Sequence, residues 1–239
     1  MIKQITEPFE AWDSLSARVL ASWQSYDSHA WLQHPPPPPL AEGGLAAVIS
    51  IVDGFAVLAA NENANWEELG LFLRMQPWSR LQCESQFAAN LPFETEWASL
   101  IMRFASAKMP PAASCRIASD PAIACDILTQ CDLNIKNRND WMADLALRWR
   151  RGTAKTWLLD DICTGSAVAI APGHVYIGAV GTLPEHRGQG HASRLVAHIC
   201  AYYHGREAWL SCREGLGNFY GKIGFEIAGE MSTLTKEKP

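Results

Sequence analysis

The part of this chain best equipped for chemistry is residues 180–195, VGTLPEHRGQGHASRL. An apolar run passes through a turn of small residues directly into the amphipathic pattern of a helix. The first N–H groups of a helix have no intrahelical acceptor and lie at the positive end of its dipole, so such a junction favours anions. Gly188, Gly190 and Ala192 leave room for the backbone to approach a pyrophosphate, and Arg187 adds a positive charge. The spacing R-x-x-G-x-A is not specific by itself: it also describes an ordinary strand-to-helix turn beside a solvated arginine.

A second motif supplies context. Residues 220–225, YGKIGF, begin 33 positions after Arg187, with one further strand-like run between. In this order, R-G-x-G-x-A followed by Y-x-x-x-G-F resembles the GNAT superfamily of acetyl-CoA-dependent N-acetyltransferases, over about residues 112–239. The resemblance implies that acetyl-CoA is the cosubstrate, with no metal. It also implies that Val180, Thr182, Arg187, Gly188, Gln189, Gly190, His191, Ala192 and Ser193 contact the coenzyme, with its pyrophosphate at 187–192. The preceding strand would splay to admit pantetheine, and Tyr220 would protonate the leaving thiolate. An acceptor amine would attack the thioester directly in a ternary complex, with backbone N–H near Val180 polarising the carbonyl. Gly178 and Gly181 interrupt the strand that would face pantetheine, which marks either close ligand approach or tight packing.

The pattern departs from the family in places. Many members carry a glutamate on or beside the strand at 175–182 to deprotonate the amine, and this strand has no carboxylate. His174, Glu185 and Glu214 could act through a water, but each reads first as a surface residue. The asparagine often found seven residues before the tyrosine is Arg213 here, with Asn218 a possible replacement. Cys200 and Cys212 have no neighbour in sequence that would lower a thiol pKa, so neither reads as an acyl carrier. A non-catalytic acyl-CoA-binding module would need the turn but neither acid nor base. A P-loop phosphotransferase lacks its Lys-Ser/Thr pair.

These residues must be positioned by a fold, which the sequence predicts as α/β (α+β): a mixed, mostly antiparallel sheet flanked by helices, GNAT-like in the C-terminal domain. Residues 112–239 read as two helices (119–131 and 139–151, the second capped by Asn139), three strands (156–159, 166–171, 175–182), a helix (190–203), a strand (208–211), a short helix (216–223) and a last strand (225–234). Of 17 glycines, only Gly43, Gly44, Gly54 and Gly70 precede residue 112. The pair Pro110-Pro111, after a helical-looking segment 93–106, sets the expected boundary between a domain at 1–111 and one at 112–239. The smaller first domain reads as α+β. An amphipathic helix (Trp12, Leu15, Val19, Leu20, Trp23) breaks at the proline run 35–39; a hairpin 46–52/55–60 turns at Asp53-Gly54; a helix 66–75 and a strand 80–83 follow. The proline run reads as a stiff connector. This half follows a similar order without R-x-x-G-x-A, as a degenerate GNAT-like copy would, so one coenzyme site per chain is expected.

Bulk composition narrows the function classes. The 239 residues are 48% hydrophobic and 19% charged, outside the ranges of disordered or collagen-like chains. With 20 Lys and Arg against 25 Asp and Glu, the net charge is −5, which argues against nucleic acid as partner. No apolar run is long enough to span a bilayer and the first residues lack a signal-peptide core, so a cytoplasmic protein without membrane partners is expected. The seven scattered cysteines contain no C-x-x-C, consistent with reduced, mostly buried thiols. The acceptor is expected to be a small-molecule or peptide amine; its identity and the oligomeric state are not written in the sequence.

Overall fold

Local chemistry fixes the ends of the elements in a computed structural model that describes all residues except 28, 36–43, 106–113, 132, 134, 136 and 237–239. The chain divides into one unit of Met1–Ile101 with Ala228–Pro239, and another of Met102–Ile227. The boundary expected at Pro110-Pro111 and most of the proline run lie outside the described residues.

In the first unit β1 (Ile2–Gln4) precedes α1 (Ser14–Tyr26). A capping box joins Asp13 and Ser16 at the start of α1, and Asp27 ends it in the left-handed conformation with φ 55°. The helix therefore stops well short of the prolines, and a strand not foreseen, β2 (Ala30–Gln33), comes between. β3 (Ala47–Val52) and β4 (Phe55–Ala60) form the expected hairpin, with Asp53 and Gly54 both at positive φ as a type I′ turn requires. Next come α2 (Trp66–Met75), β5 (Arg80–Glu84), one helical turn α3 (Ser85–Ala88) and β6 (Glu94–Phe104).

β6 corrects the expected helix at 93–106. Ala98, Leu100, Met102 and Phe104 recur at every second residue as a strand requires, with only Ile101 breaking the alternation, while Trp97, Leu100, Ile101 and Phe104 fit a helical stripe equally well. Apolar periodicity cannot decide such a segment, and tertiary pairing does. The sheet of this unit runs β1-β2-β3-β4-β5 and then the end of β12 (Phe225–Thr235), antiparallel except for β4 with β5. Its core gathers Ile49, Leu58, Leu69, Leu73 and Leu81, each 1% exposed or less. Fully burying a side chain of this size contributes about 1.5–3 kcal/mol.

In the second unit, β7 (Arg116–Ile117), a short edge strand not expected from the sequence, leads to α4 (Pro121–Gln130) and α5 (Arg138–Arg150). Asn137, not Asn139, caps α5: its side chain accepts from the N–H groups of Asn139 and Asp140. β8 (Lys155–Leu159), β9 (Cys163–Ala171) and β10 (His174–Thr182) form the expected meander. α6 (His191–Tyr202), β11 (Glu207–Cys212) and α7 (Gly217–Gly221) complete the unit. Its strands lie in the order β11-β10-β9-β8-β7, with β10 and β11 parallel. α6 packs on β8, β9 and β10, while α4 packs on β9 and β10.

α6 approaches the sheet closely at Gly165 on β9. A Cβ there would stand 2.4 Å from Leu195 Cδ2 and 3.4 Å from Ile199 Cδ1. The missing side chain lets the helix, and the turn at its start, seat against the sheet. Among the described residues, no helix is long and apolar enough to cross a membrane.

Candidate functional site

β10 changes character halfway along. It pairs in parallel with β11 from His174–Glu207 to Ile177–Leu210, yet continues to Thr182 with no further strand partner on that side among the described residues. On its other side the register with β9 jumps from Gly178–Ser166 to Gly181–Thr164, placing Ala179 and Val180 in a bulge. Ala179 has φ 49°, a left-handed backbone that costs an L-residue roughly 1–2 kcal/mol. The backbone of Ala179 and Val180 is thus outside both ladders.

The glycines that suggested ligand approach have a packing role. A Cβ on Gly181 would come within 3.1 Å of Leu128 Cδ2 and Cys131 Sγ, and one on Gly178 within 3.2 Å of Val168 Cγ2. The residue that opens the strand is Ala179, which no residue-type scan would select.

Beyond β10 the chain is pinned at Thr182. Its carbonyl accepts from Cys131 Sγ at 3.1 Å and Arg187 Nε at 3.2 Å, and its hydroxyl donates to Cys163 Sγ at 3.2 Å. A 3-10 turn, Pro184–His186, then leads to Gly188 and Gly190, with φ 76° and 78°. Gly190 is the N-cap of α6 and offers no side-chain acceptor, so the first N–H groups of the helix face outward without a cap. A Cβ at Gly188 or Gly190 would meet nothing within 4 Å, so the absent side chains leave open space.

That space is a cavity of about 450 Å³ lined by Thr182, His186, Arg187, Gly188, Gly190, His191, Ala192, Ser193 and Phe219. It brings together most of the residues singled out by sequence. Gln189 is exposed beside it and reaches His191 (Oε1 to Nε2, 3.4 Å), while Val180 sits back on β10. His186 and Phe219 were not foreseen. Phe219 is signalled only by its place next to Tyr220, and His186 by its place next to Arg187.

Tyr220 does not line the cavity. It is 8% exposed on α7, with its ring 4.9 Å from Phe219 and 6.0 Å from Phe225. Burial, and secondarily the neighbouring Cys212 thiol, push its phenol up to about 12. Of the candidate bases, His174 begins β10, six residues and thus about 20 Å of strand from Val180. Its Nδ1 lies 3.6 Å from Glu207 Oε2. Glu185 is exposed on the 3-10 turn and Glu214 is exposed at the start of the segment leading to α7. Burial raises the thiols of Cys200, to about 12, and Cys212, the reverse of what an acyl carrier needs.

The corresponding place in the first unit is closed. β4 and β5 also pair in parallel only at their start, Phe55–Arg80 to Val57–Gln82, and α2 follows β4 as α6 follows β10. Here the linking segment 61–65 has no glycine, and Asn65 caps α2 by accepting from Glu68 N at 3.0 Å. Glu67 and Glu68 add negative charge in the first turn. The Glu68 carboxylate accepts from Ile2 N at 2.9 Å and Gln33 Nε2 at 2.8 Å. This helix end carries its own cap and its own anions.

Comparison with known proteins agrees with this geometry. Residues 173–228 match the model of the acetyltransferase (GNAT) domain family. A putative GNAT-family acetyltransferase from Novosphingobium aromaticivorans superposes with TM-score 0.56 at 19% identity, over 95% of this chain and 100% of that one. A putative acetyltransferase from Pyrococcus horikoshii gives TM-score 0.58 at 11% identity, covering 94% and 79%. A tandem GNAT protein of the clavulanic acid biosynthesis pathway, solved without AcCoA, gives 0.55 at 12%, covering 98% and 91%. No curated protein matches the sequence. The likeness to the GNAT superfamily read from the two motifs is borne out, in the segment that the family model matches and in the fold.

Proposed function

We propose that the second unit is an N-acetyltransferase domain that moves an acetyl group from acetyl-CoA to a primary amine by direct attack in a ternary complex. The observation that carries this reading is the uncapped start of α6, opened by two left-handed glycines onto a cavity of about 450 Å³. Acetyl-CoA supplies the activated acyl group. The N–H groups of Gly190, His191 and Ala192, with Ser193 and Arg187, are suited to its pyrophosphate. Arg187 Nε is used on Thr182, while the guanidinium's two terminal nitrogens make no hydrogen bond among the described residues. Backbone N–H in the Ala179–Val180 bulge is suited to polarise the thioester carbonyl as charge develops. Tyr220 is assigned as general acid. The first unit is read as a GNAT-like copy without a coenzyme site, because α2 holds its own acid and cap.

A second reading, a non-catalytic acyl-CoA-binding protein, rests on the lack of any carboxylate on β10 and on the remoteness of His174. The two readings part on turnover: acetylated product from a panel of small amines and peptides supports the enzyme, while coenzyme binding without product supports the binder. A small amine is the favoured acceptor, and turnover of basic peptides alone would overturn that preference.

The coenzyme site is tested by calorimetry with acetyl-CoA. Gly190→Val forces a branched side chain into the left-handed region and into the open space before α6, and should weaken binding at least tenfold. Gly190→Asn tolerates the same backbone but still adds bulk, so it should also weaken binding while leaving thermal stability near wild type. Unchanged affinity in both variants would overturn the site.

A further inference from the structure

The turn contains a hydrogen bond whose direction can be deduced. Arg194 Nη2 lies 2.9 Å from His191 Nδ1. A guanidinium has no acceptor, so Nδ1 must accept and the ring proton must sit on Nε2. Residues three apart on a helix share a face, which places Arg194 one turn behind the ring without lining the cavity itself. Among the described residues the Nε2–H has one partner, Gln189 Oε1 at 3.4 Å, beyond the usual range of about 2.7–3.2 Å for such a bond. A phosphate oxygen is a stronger acceptor than an amide oxygen and would replace it. Gly188 and Gly190 bring no side-chain donor to the turn, and Arg187 spends its Nε on Thr182, so the His191 Nε2–H would join the Arg187 terminal nitrogens and the Ser193 hydroxyl.

From this geometry we infer that Arg194 is a positioning residue for the coenzyme: it fixes the tautomer and orientation of His191 so that Nε2–H is offered to a phosphate oxygen at the start of α6. The inference rests on the coenzyme reading above and adds to it a residue outside the R-x-x-G-x-A turn. Arg194 acts through His191, so its contribution should vanish when the imidazole is absent.

The test combines a tautomer measurement with a double-mutant cycle. In the wild-type protein, long-range ¹H–¹⁵N correlation spectra should show the His191 proton on Nε2, and a proton on Nδ1 would overturn the inference. Calorimetry with coenzyme A should show about tenfold weaker binding for Arg194→Met, recovered in good part by Arg194→Lys, which can still donate to Nδ1. In a His191→Ala background, Arg194→Met should cost nothing more; full additivity would mean direct contact or general charge and would overturn it. Melting curves identify a variant that fails to fold, and the wild-type tautomer still decides in that event. Failure of the wild-type protein to bind coenzyme A would remove the coenzyme reading and this inference together. Normal wild-type binding with an unaffected Arg194→Met would remove the inference alone.

Discussion

A phenol pushed up to about 12 is fully protonated at neutral pH, the form needed beside a departing thiolate. The same burial makes complete transfer costly. Against an ordinary thiol pKa near 8.5, handing over the proton from about 12 costs about 5 kcal/mol, so a hydrogen bond that strengthens as thiolate charge grows carries most of the effect. Tyr220→Phe keeps the ring contacts with Phe219 and Phe225 and removes only the hydroxyl. With a working acceptor, kcat should fall about a hundredfold while acetyl-CoA affinity and the melting temperature change little. Near-normal kcat would make Tyr220 a packing residue, provided chemistry limits the rate. Phe219 shows the limit of reading at this scale: it lines the cavity but belongs to no motif, and only the turn of α7 shows which of two adjacent aromatics faces it.

Between elements, one absent side chain sets the seat of α6. Gly165→Ala would put a Cβ 2.4 Å from Cδ2 of the fully buried Leu195, so that side chain or the helix must shift. Overpacking of this kind costs about 1–3 kcal/mol. The variant should lose that much in denaturant unfolding and also bind acetyl-CoA more weakly, since α6 and its first turn move together. An unchanged denaturation midpoint would show that the helix relaxes without strain. The junction of β10 and α6 was legible because its signals are local: glycine, a helical stripe, a charge. Gly165 was not singled out, because its role depends on a side chain 30 positions away. The Ala179 bulge was invisible because alanine says nothing about φ. β6 was misread because its apolar residues satisfy both periods. β1, β2 and β7 have two to four residues each, too few to show any period.

Across the whole chain, the thiols make stability depend on pH. Burial raises Cys83 and Cys200 from 9.0 to about 12 and Cys163 to about 11. The folded state therefore holds these protons where the unfolded chain has released them. Their contribution is complete below pH 9.0 and is lost as pH rises through 11 and 12. Each group adds a slope of about 1.4 kcal/mol per pH unit, so Cys163 and Cys200 together add about 3 in the second unit, and by pH 11 the loss is comparable with the whole stability of a marginal domain. Glu68 gives the opposite limb. Burial opposes its charge, but hydrogen bonds from Gln33 and from Ile2 N–H, with the amino group of Met1, outweigh it and hold the carboxyl below 4.5. Its contribution is present above pH 4.5 and fades as pH falls through the lowered value. Denaturation midpoints should drop steeply from pH 9 to 11, and less steeply in a Cys83→Ala, Cys200→Ala variant; a flat profile there would refute the burial argument. The broad order of elements in residues 112–239 was legible in advance, because each element carries its own caps and turns. The pairing that closes the first unit's sheet with residues 231–234 was not, since nothing local records a partner about 150 positions away.

The self-capped start of α2 has a historical consequence. If the two units descend from one duplicated ancestor, regaining a phosphate cradle in the first copy would require several changes at once: removal of the Asn65 cap, neutralisation of Glu67 and Glu68, and residues that tolerate a left-handed backbone in 61–65. Losing the cap alone costs about 1 kcal/mol, and losing Glu68 leaves Gln33 and Ile2 N–H without their acceptor, before any affinity is gained. The steps at Asn65 and Glu68 thus lower stability before any affinity is gained, which works as a ratchet: lineages that share this helix end should vary in the second copy's turn without reviving the first.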